Sequence, residues 1–216
     1  MTATLAVTGS NICGDAAFSA ALDLRGEVTV MSVPLGERGD LAQLCEDLCT
    51  ARGVSPADLR RMVIDVGPGS YTGLRVAVTF ARMLQRYSDL QVEAVCSLAA
   101  LARLGAEGVA APVRTLLDAR RGRWHTALHQ HVGGQTRELE PARAAPVDAV
   151  LDAFESGEVL VAPAELTAQL QEQRGISCLA ARGWSANALL ADGLPRFPAT
   201  WRDLEPRYLM ASYAED

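Results

Sequence analysis

The stretch that decides the fold reads Gly67-Pro68-Gly69-Ser70-Tyr71-Thr72-Gly73-Leu74-Arg75. The mostly apolar segment 61–66 before it predicts a short strand, and in residues 72–86 after it apolar side chains recur with helical spacing. A glycine-rich turn that leads from a strand into a helix leaves backbone N–H groups and the positive end of the helix dipole facing outward, which suits an anion. One interpretation of the loop is therefore contact with an anion or nucleotide through Gly67, Gly69, Ser70, Thr72 and Gly73.

A second interpretation of this loop is a tight turn that needs glycine dihedrals, with Ser70 or Thr72 capping the helix. Spacing alone favours the tight turn. The loop is not a Walker A motif because no lysine is present, and Thr72 stands where G-x-G-x-x-G needs its third glycine. Ser70 lies at a strand-to-helix turn, as a hydrolase nucleophile would, but the G-x-S-x-G arrangement and its His–Asp partners are not found. No catalytic constellation is predicted.

Outward from the loop, the apolar runs and turns predict an α/β protein with mixed sheets. Before residue 109 they predict strands at 4–8, 16–24, 27–33, 61–66 and 91–95 and helices at 39–52, 72–86 and 97–104, with Ser97 as an N-cap. After it they predict strands at 113–118, 124–131 and 159–162, helices at 147–154 and 165–173, and a mostly irregular tail from residue 193. Each half opens with hairpins and then alternates strands and helices. This order predicts two duplicated lobes, residues 1–108 and 109–216.

The composition restricts the classes of function. The net charge is −6 and the 20 basic residues are all arginine. An acidic chain is a poor stand-alone nucleic-acid binder, and a chain without lysine has no Schiff-base or P-loop lysine. Five cysteines without a C-x-x-C pair favour buried free thiols in a reduced cytoplasm. No secretory signal and no apolar run of membrane-spanning length is seen, so no membrane association is expected.

Three histidines, His125, His129 and His131, occupy alternate positions of the predicted strand 124–131. Such spacing places them on one face of a strand, where a metal site is conceivable. No carboxylate or cysteine is poised beside them. We therefore expect a polar sheet face and no metal.

The segment Gly-Pro-Gly-Ser-Tyr-Thr-Gly-Leu-Arg-Val at 67–76 resembles the signature of the TsaB (YeaZ) family. Looser matches follow in the family's order at residues 95–98 (Val-Cys-Ser-Leu), 117–121 (Leu-Asp-Ala-Arg-Arg) and 205–209 (Glu-Pro-Arg-Tyr-Leu). The resemblance implies the actin/Hsp70-like (ASKHA) duplicated fold, with two lobes that each hold a mixed β-sheet. It also implies a part in making N6-threonylcarbamoyladenosine in tRNA.

In this family the implied role is that of a non-catalytic scaffold that binds and supports the transferase TsaD as a heterodimer. The ATPase TsaE binds through the complex, this subunit contacts tRNA only indirectly, and it can also form homodimers. No cofactor is expected on this subunit alone, since ATP and metal are expected on its partners. The chain departs from the family at Thr8-Gly9-Ser10, where an Asp-Thr-Ser-like run is usual, and at residues 36–39, where His-Ser is frequent. Two alternatives stay open: a weak ATP-binding protein or ATPase of the same fold, and a glycopeptidase-like (M22) peptidase homologue.

The predicted helices 39–52 and 72–86 carry the candidate partner or dimer surface. Helix 72–86 is apolar around more than the roughly 100° that one packing contact covers, so it should be covered on two sides. One apolar side packs on the lobe's own sheet, and the other packs against either helix 39–52 or a partner subunit. Since these helices form the partner surface in TsaB-like proteins, we expect an interface at Leu41, Leu44, Cys45, Leu48, Val76, Phe80, Met83 and Leu84.

Overall fold

The computed structural model describes residues 3–14, 16–37, 39–181 and 183–210. These residues form two mixed β-sheets and five α-helices. The strands, in chain order, are β1 (Ala3–Thr8), β2 (Ala16–Leu24), β3 (Glu27–Pro34), β4 (Arg61–Asp65), β5 (Gln91–Val95), β6 (Val113–Asp118), β7 (Arg123–Val132), β8 (Gln135–Pro146), β9 (Val159–Pro163), β10 (Leu179–Ala181) and β11 (Phe197–Ala199). The helices are α1 (Leu41–Ala51), α2 (Tyr71–Arg86), α3 (Ser97–Gly105), α4 (Val147–Asp152) and α5 (Ala164–Arg174).

The first sheet has the strand order β11-β5-β4-β1-β2-β3. Strands β1, β2 and β3 are antiparallel, whereas β4 lies parallel to β1 and β5 parallel to β4. The β2–β3 hairpin closes at Arg25 and Gly26, which both have positive φ, and the Gly26 amide donates to the Asp23 carboxylate. Positive φ at both central residues matches the right-handed twist of the flanking strands, so this local sequence sets the hairpin.

The second sheet repeats the order of the first. Its strands run β10-β9-β6-β7-β8, with β6, β7 and β8 antiparallel and with β9 and β10 added in parallel. Each sheet thus contains a three-stranded antiparallel meander, with two further strands added in parallel beside its first strand; the first sheet has β11 as a sixth strand, antiparallel to β5. The expected mixed α/β architecture with duplicated lobes is confirmed by this topology.

Helix α3 lies between the two sheets. Its residues from Ser97 to Ala102 are all buried, and its apolar cluster combines Ala6 and Val63 of the first sheet with Val113 and Val161 of the second. Three of its nine residues are alanine and the last is glycine, which lets the two sheets approach closely, and a Cβ at Gly105 would lie 2.3 Å from the Val161 side chain. The tight packing of α3 therefore holds the lobes together.

The remaining helices cover the outer faces of the sheets. Helices α1 and α2 pack on the first sheet around Leu48, Met62 and Ile64, and α4 and α5 pack on the second around Leu116 and Leu160. Asp40 caps α1 by accepting the Ala42 amide, and Gly175 ends α5 in the left-handed conformation. The layers of the molecule are therefore, in order, helices α1 and α2, the first sheet, α3, the second sheet, and helices α4 and α5.

Three strands, β8, β10 and β11, were not predicted from the sequence, and one predicted helix cap is wrong. No strand was expected between residues 131 and 147, yet β8 spans 12 residues and pairs with β7. The described tail from residue 193 is mostly irregular, as expected, but β11 pairs with β5 and thereby joins the first sheet although it follows the second in sequence. Ser97 does not cap α3, because Cys96 occupies the N-cap position and makes no side-chain cap bond. The division at residue 108 stays a prediction.

Candidate functional site

The glycine-rich loop joins β4 to α2 at the carboxyl ends of the parallel strands β1 and β4. The Ser70 amide donates to the Ser10 carbonyl over 2.7 Å, which ties the loop to the end of β1. A Cβ at Gly73 would lie 2.0 Å from the Gly9 carbonyl oxygen, and a Cβ at Gly69 would lie 2.6 Å from Ser10. Glycine is therefore needed here because two backbone segments touch, which supports the tight-turn interpretation.

The hydrogen-bonding groups of this loop are largely used inside the molecule. Ser70 is the N-cap of α2 and its hydroxyl accepts the Gly73 amide over 3.3 Å, while Thr72 is exposed in the first turn. Gly67 has a φ of 100°, and its amide donates to the Asp65 carboxylate over 2.9 Å. The structure brings Gly67, Gly69, Ser70, Thr72 and Gly73 together as expected. Whether they contact an anion stays a prediction.

A buried carboxylate lies beneath the loop, and the sequence analysis missed it. Asp65 ends β4, is 0% exposed, and accepts hydrogen bonds from the Thr8 hydroxyl (2.7 Å), the Ser97 hydroxyl and the Gly67 amide. Burial raises the pKa of Asp65, and its hydrogen bonds, from Ser10 and Ser97 first, oppose that rise. An acid at the end of an otherwise apolar strand, directly before the glycine loop, was the signal that could have revealed it. Asp65 fixes the ends of β1 and β4 and the start of α3 at one point.

The α1 half of the expected partner surface is not on the surface. The side chains of Leu41, Leu44, Cys45 and Leu48 belong to the core that α1 forms with the first sheet, and none is more than 9% exposed. Burial also raises the pKa of Cys45 to about 12, as expected for a packed thiol. These four residues therefore pack inside the lobe, and contact with a partner through them would require α1 to move.

The α2 half is divided between core and surface. Leu74, Ala77, Val78 and Ala81 face the sheet and are buried. Val76 and Met83 are 41% and 59% exposed, whereas Phe80 and Leu84 are half-buried and pack against the edge of the core. We call Val76, Phe80, Met83, Leu84 and the neighbouring Tyr87 the apolar side of α2. It is one face of a helix whose opposite face already lies on the sheet.

The polar side of α2 meets the C-terminal segment, a feature that the sequence analysis did not foresee. Arg82 donates through Nε to the Trp201 carbonyl and Gln85 donates to the Ala199 carbonyl, each over 2.9 Å. A shallow cavity of about 430 Å³ lies between α2 and the C-terminal segment. It is lined by Tyr71, Arg75, Val78, Thr79, Arg82, Glu205, Pro206 and Tyr208. The helix thus presents two different faces to solvent.

The three histidines do not share one environment. The β7–β8 ladder shifts register on either side of Leu128, but the extra residues lie on β8, so β7 keeps its alternation against β6 from Trp124 to His129 and the histidines differ in burial. His129 is 0% exposed with no hydrogen-bond partner for either ring nitrogen among the described residues, while His131 contacts the Thr136 hydroxyl and the Ala102 carbonyl. Burial lowers the pKa of His125 and of His129 to about 4. The expected polar sheet face is therefore wrong for His129.

Within the residues that the structure describes, no group of three or more His, Cys, Asp or Glu side chains could hold a metal ion. In the same part of the chain, no helix is both long and apolar enough to cross a bilayer.

Comparison with known proteins connects this architecture to a family. The model of the family TsaD, tRNA N6-adenosine threonylcarbamoyltransferase, matches residues 38–158, which is more than half of the 216 residues. The chain belongs to this family. The matched region runs from the start of α1 through the glycine loop to the approach of β9, so it includes Asp65, α2 and the central helix α3.

Within this family the TsaB protein of Bacillus subtilis (strain 168), tRNA threonylcarbamoyladenosine biosynthesis protein TsaB, is 40% identical to the chain over 90 residues. That match covers 41% of this chain and 38% of the relative, so it spans well under half of either protein. The resemblance to the TsaB/YeaZ family is confirmed.

Two solved structures from Pseudomonas aeruginosa have the same fold as this TsaD-family chain. YeaZ superimposes with a TM-score of 0.77 at 23% sequence identity, over 97% of this chain and 100% of that one. A second structure, of an uncharacterized protein with similarity to peptidase YEAZ, gives a TM-score of 0.76 at the same identity and coverage. The actin/Hsp70-like fold with two mixed sheets is thereby confirmed.

Proposed function

We propose that this protein is a non-catalytic subunit of the machinery that makes N6-threonylcarbamoyladenosine in tRNA, and that it binds and supports the TsaD transferase. The observation that carries the proposal is the apolar side of α2, where Val76, Met83 and Tyr87 are 41%, 59% and 79% exposed along one helix. Membership of the TsaD family and the likeness to TsaB of Bacillus subtilis support the pathway.

The apolar side of α2 has the chemistry of an interface. Large apolar side chains that stay exposed next to one another on a rigid element are typical of protein–protein contact sites. Covering them would remove apolar surface from water, at about 25 cal/mol for each Å². Their half-buried neighbours Phe80 and Leu84 are anchored in the core, so little side-chain entropy would be lost on binding. Helix α2 would thus dock as a preformed surface.

The use of the polar groups near the loop supports a role without catalysis. The Ser70 hydroxyl caps α2, and the Asp65 carboxylate is buried under hydrogen bonds from its own chain. Thr8, whose hydroxyl donates to Asp65, occupies the end of the first strand. We propose that ATP and metal lie on the partner subunits, that TsaE joins through the complex, and that the same apolar side supports a homodimer when TsaD is absent.

Two substitutions on α2 test the proposal. Val76→Asp and Met83→Asp together would place two charges on the apolar side without touching the core, since both residues are exposed. We expect the double variant to bind immobilised TsaD from the same genome at least tenfold more weakly than the wild type, which is about 1.4 kcal/mol. The measurement is biolayer interferometry.

The matched control for that experiment lies on the other lobe. Val132→Asp with Leu139→Asp makes the same charge change at residues that are 45% and 48% exposed on β7 and β8. The control should bind TsaD like the wild type. Equal affinity of all three folded proteins for TsaD would exclude the apolar side of α2 as the interface.

A further inference from the structure

A second exposed face of α2 combines arginines with aromatic rings. It is formed by Arg75 and Arg86, by Tyr71 at the start of the helix, and by Trp201, Arg202 and Tyr208 of the C-terminal segment. We call these six residues the arginine–aromatic face. It lies on the polar side of α2, next to the apolar side but composed of different residues.

The rings and guanidinium groups of this face form two clusters along α2, and Arg86 also lies 5.7 Å from the ring of Tyr87 on the apolar side. The ring centroids of Tyr71 and Tyr208 are 4.8 Å apart, and the guanidinium carbon of Arg75 lies 5.4 Å from the Tyr71 centroid. Trp201 has two guanidinium groups near its ring, those of Arg86 at 4.7 Å and Arg202 at 4.4 Å. Both tyrosines remain 46% and 44% exposed, so ring surface is available to a ligand.

The charge of this face is opposite to that of the chain. The whole sequence carries −6, yet none of Arg75, Arg86 and Arg202 forms an ion pair with a carboxylate in the described part of the chain. Two acids lie near this face, Glu205 in the cavity lining and Asp203 next to Arg202 in the chain, so its three arginines still outnumber the carboxylates. Three such cations in one place attract a polyanion.

The face is held in position before any ligand arrives. Leu204 is 2% exposed in the core of the first lobe, and the Arg207 amide donates to the Val66 carbonyl over 2.6 Å. The bond from Arg82 to the Trp201 carbonyl fixes the same segment against α2. Because these anchors are internal, the arginines and rings form a rigid surface and not a loose tail.

Cations that interleave with exposed aromatic rings match single-stranded RNA. Phosphates pair with guanidinium groups while unstacked bases lie on aromatic rings, and this combination is typical of proteins that bind single strands. An acidic peptide would satisfy the arginines but would leave the tyrosine rings unused. We propose that the arginine–aromatic face binds a single-stranded segment of RNA, with phosphates at Arg75, Arg86 and Arg202 and bases on Tyr71 and Tyr208. That the RNA is tRNA rests on the proposed function. The family resemblance implied only indirect contact of this subunit with tRNA, whereas this proposal has the subunit contact tRNA directly.

Fluorescence anisotropy with a labelled, unmodified tRNA transcript and with a short labelled oligouridylate tests the proposal. The test variant is Arg75→Gln with Arg86→Gln and Arg202→Gln. The control makes the same charge change at exposed arginines elsewhere, Arg25→Gln with Arg137→Gln and Arg143→Gln. We expect the test variant to bind both RNAs at least tenfold more weakly than the control. The log–log slope of its salt dependence should fall by roughly 0.7 for each phosphate that an arginine no longer neutralises.

The rings are tested separately from the charges. Tyr208→Leu should weaken binding of the oligouridylate roughly fivefold or more, whereas Tyr208→Phe, which keeps the ring, should bind like the wild type. Equal binding by the leucine and phenylalanine variants would contradict base stacking at Tyr208.

Further outcomes separate this inference from the proposed function. The arginine variant should still bind TsaD, and Val76→Asp with Met83→Asp should still bind RNA. RNA binding without any TsaD binding would contradict the proposed function alone. The inference is overturned if wild-type protein shows no salt-dependent RNA binding, if the arginine variant matches its control, or if the arginine variant fails to bind TsaD while keeping RNA, since the face would then dock protein.

Discussion

At the scale of single residues, the glycines of the loop are explained by contact between backbones. Gly9 and Gly73 approach so closely that a Cβ on either would lie within 2.4 Å of the other's carbonyl oxygen. The spacing of the motif predicted a strand, a turn and a helix with either Ser70 or Thr72 as its cap, and Ser70 occupies that position. It did not predict that the end of β1 presses against α2, because that contact joins residues about sixty positions apart in the chain.

Gly73→Ala tests this contact. In an ordinary helix, alanine is more stable than glycine by about 1 kcal/mol. Here the added methyl would lie 2.0 Å from the Gly9 carbonyl oxygen, and we expect a loss of stability of about 2 kcal/mol or more, as for an overpacked site. Urea unfolding of Gly73→Ala measures this loss of stability. The control is Thr72→Ala, a substitution at an exposed residue in the same turn. A Gly73→Ala protein as stable as the wild type would show that the two segments separate easily.

His129 gives the protein a dependence on pH. Burial lowers its pKa from 6.5 to about 4, so between these values the unfolded chain takes up a proton that the folded chain does not. Stability should therefore be complete above pH 6.5 and decline as the pH falls towards 4, by roughly 3 kcal/mol for this one group. His129→Leu, which also removes two unpaired buried nitrogens, should reduce that decline. Thermal unfolding from pH 7.5 to 4.5 compares the wild type with His129→Leu. If both proteins lose the same stability over this range, His129 is not the cause of the pH dependence.

At the scale of elements, the strands inside the sheets and the edge strand β3 could be predicted, whereas the edge strands β8 and β11 could not. Strands β2, β5 and β6 have the predicted limits because their apolar runs lie inside a sheet or hairpin. Strand β8 is an edge strand that carries Pro141 and Pro146 and many polar residues, and β11 is a short edge strand that contains Pro198. Proline is tolerated at sheet edges, where one side of the strand needs no hydrogen bonds, so neither strand shows the alternation by which strands are recognised.

The apolar stripes of the helices were predicted correctly, but the groups that cover them were not. Leu41, Leu44 and Leu48 form the stripe expected of an amphipathic helix, and they are buried by the chain's own sheet. The same kind of spacing places Val76 and Met83 on the surface of α2. A periodic pattern gives the direction of a face on its helix, whereas the neighbour of that face depends on the tertiary packing of the whole lobe.

Arg114 links three strands of the second sheet, and its removal is a test of that linkage. It lies on β6, is 1% exposed, and pairs with Glu158 just before β9 (2.6 Å) and with Glu140 on β8 (3.0 Å). Arg114→Ala would leave the Glu158 carboxylate buried without a partner, so we expect a loss of about 3–5 kcal/mol. Arg174→Ala, which breaks an exposed pair with Asp148, should cost under about 1 kcal/mol. Similar urea midpoints for both variants would contradict the linkage.

At the scale of the whole molecule, the duplicated fold brings two different faces onto one helix. The strand orders β5-β4-β1-β2-β3 and β10-β9-β6-β7-β8 repeat one plan, with α3 packed between them. The C-terminal segment returns from the second lobe to the first through β11, and its contacts with α2 create the arginine–aromatic face. That face could not be predicted from the sequence, because Trp201 and Tyr208 meet α2 only after this return.

We propose that the apolar side of α2 makes this protein a partner-binding subunit. Size-exclusion chromatography coupled to light scattering, on the protein alone and mixed with TsaD from the same genome, tests this role. We expect a new species in the mixture at the summed mass of the two chains, and its disappearance when Val76→Asp and Met83→Asp are introduced together. Two separate peaks at the masses of the free proteins, or a homodimer that persists unchanged beside free TsaD, would contradict it.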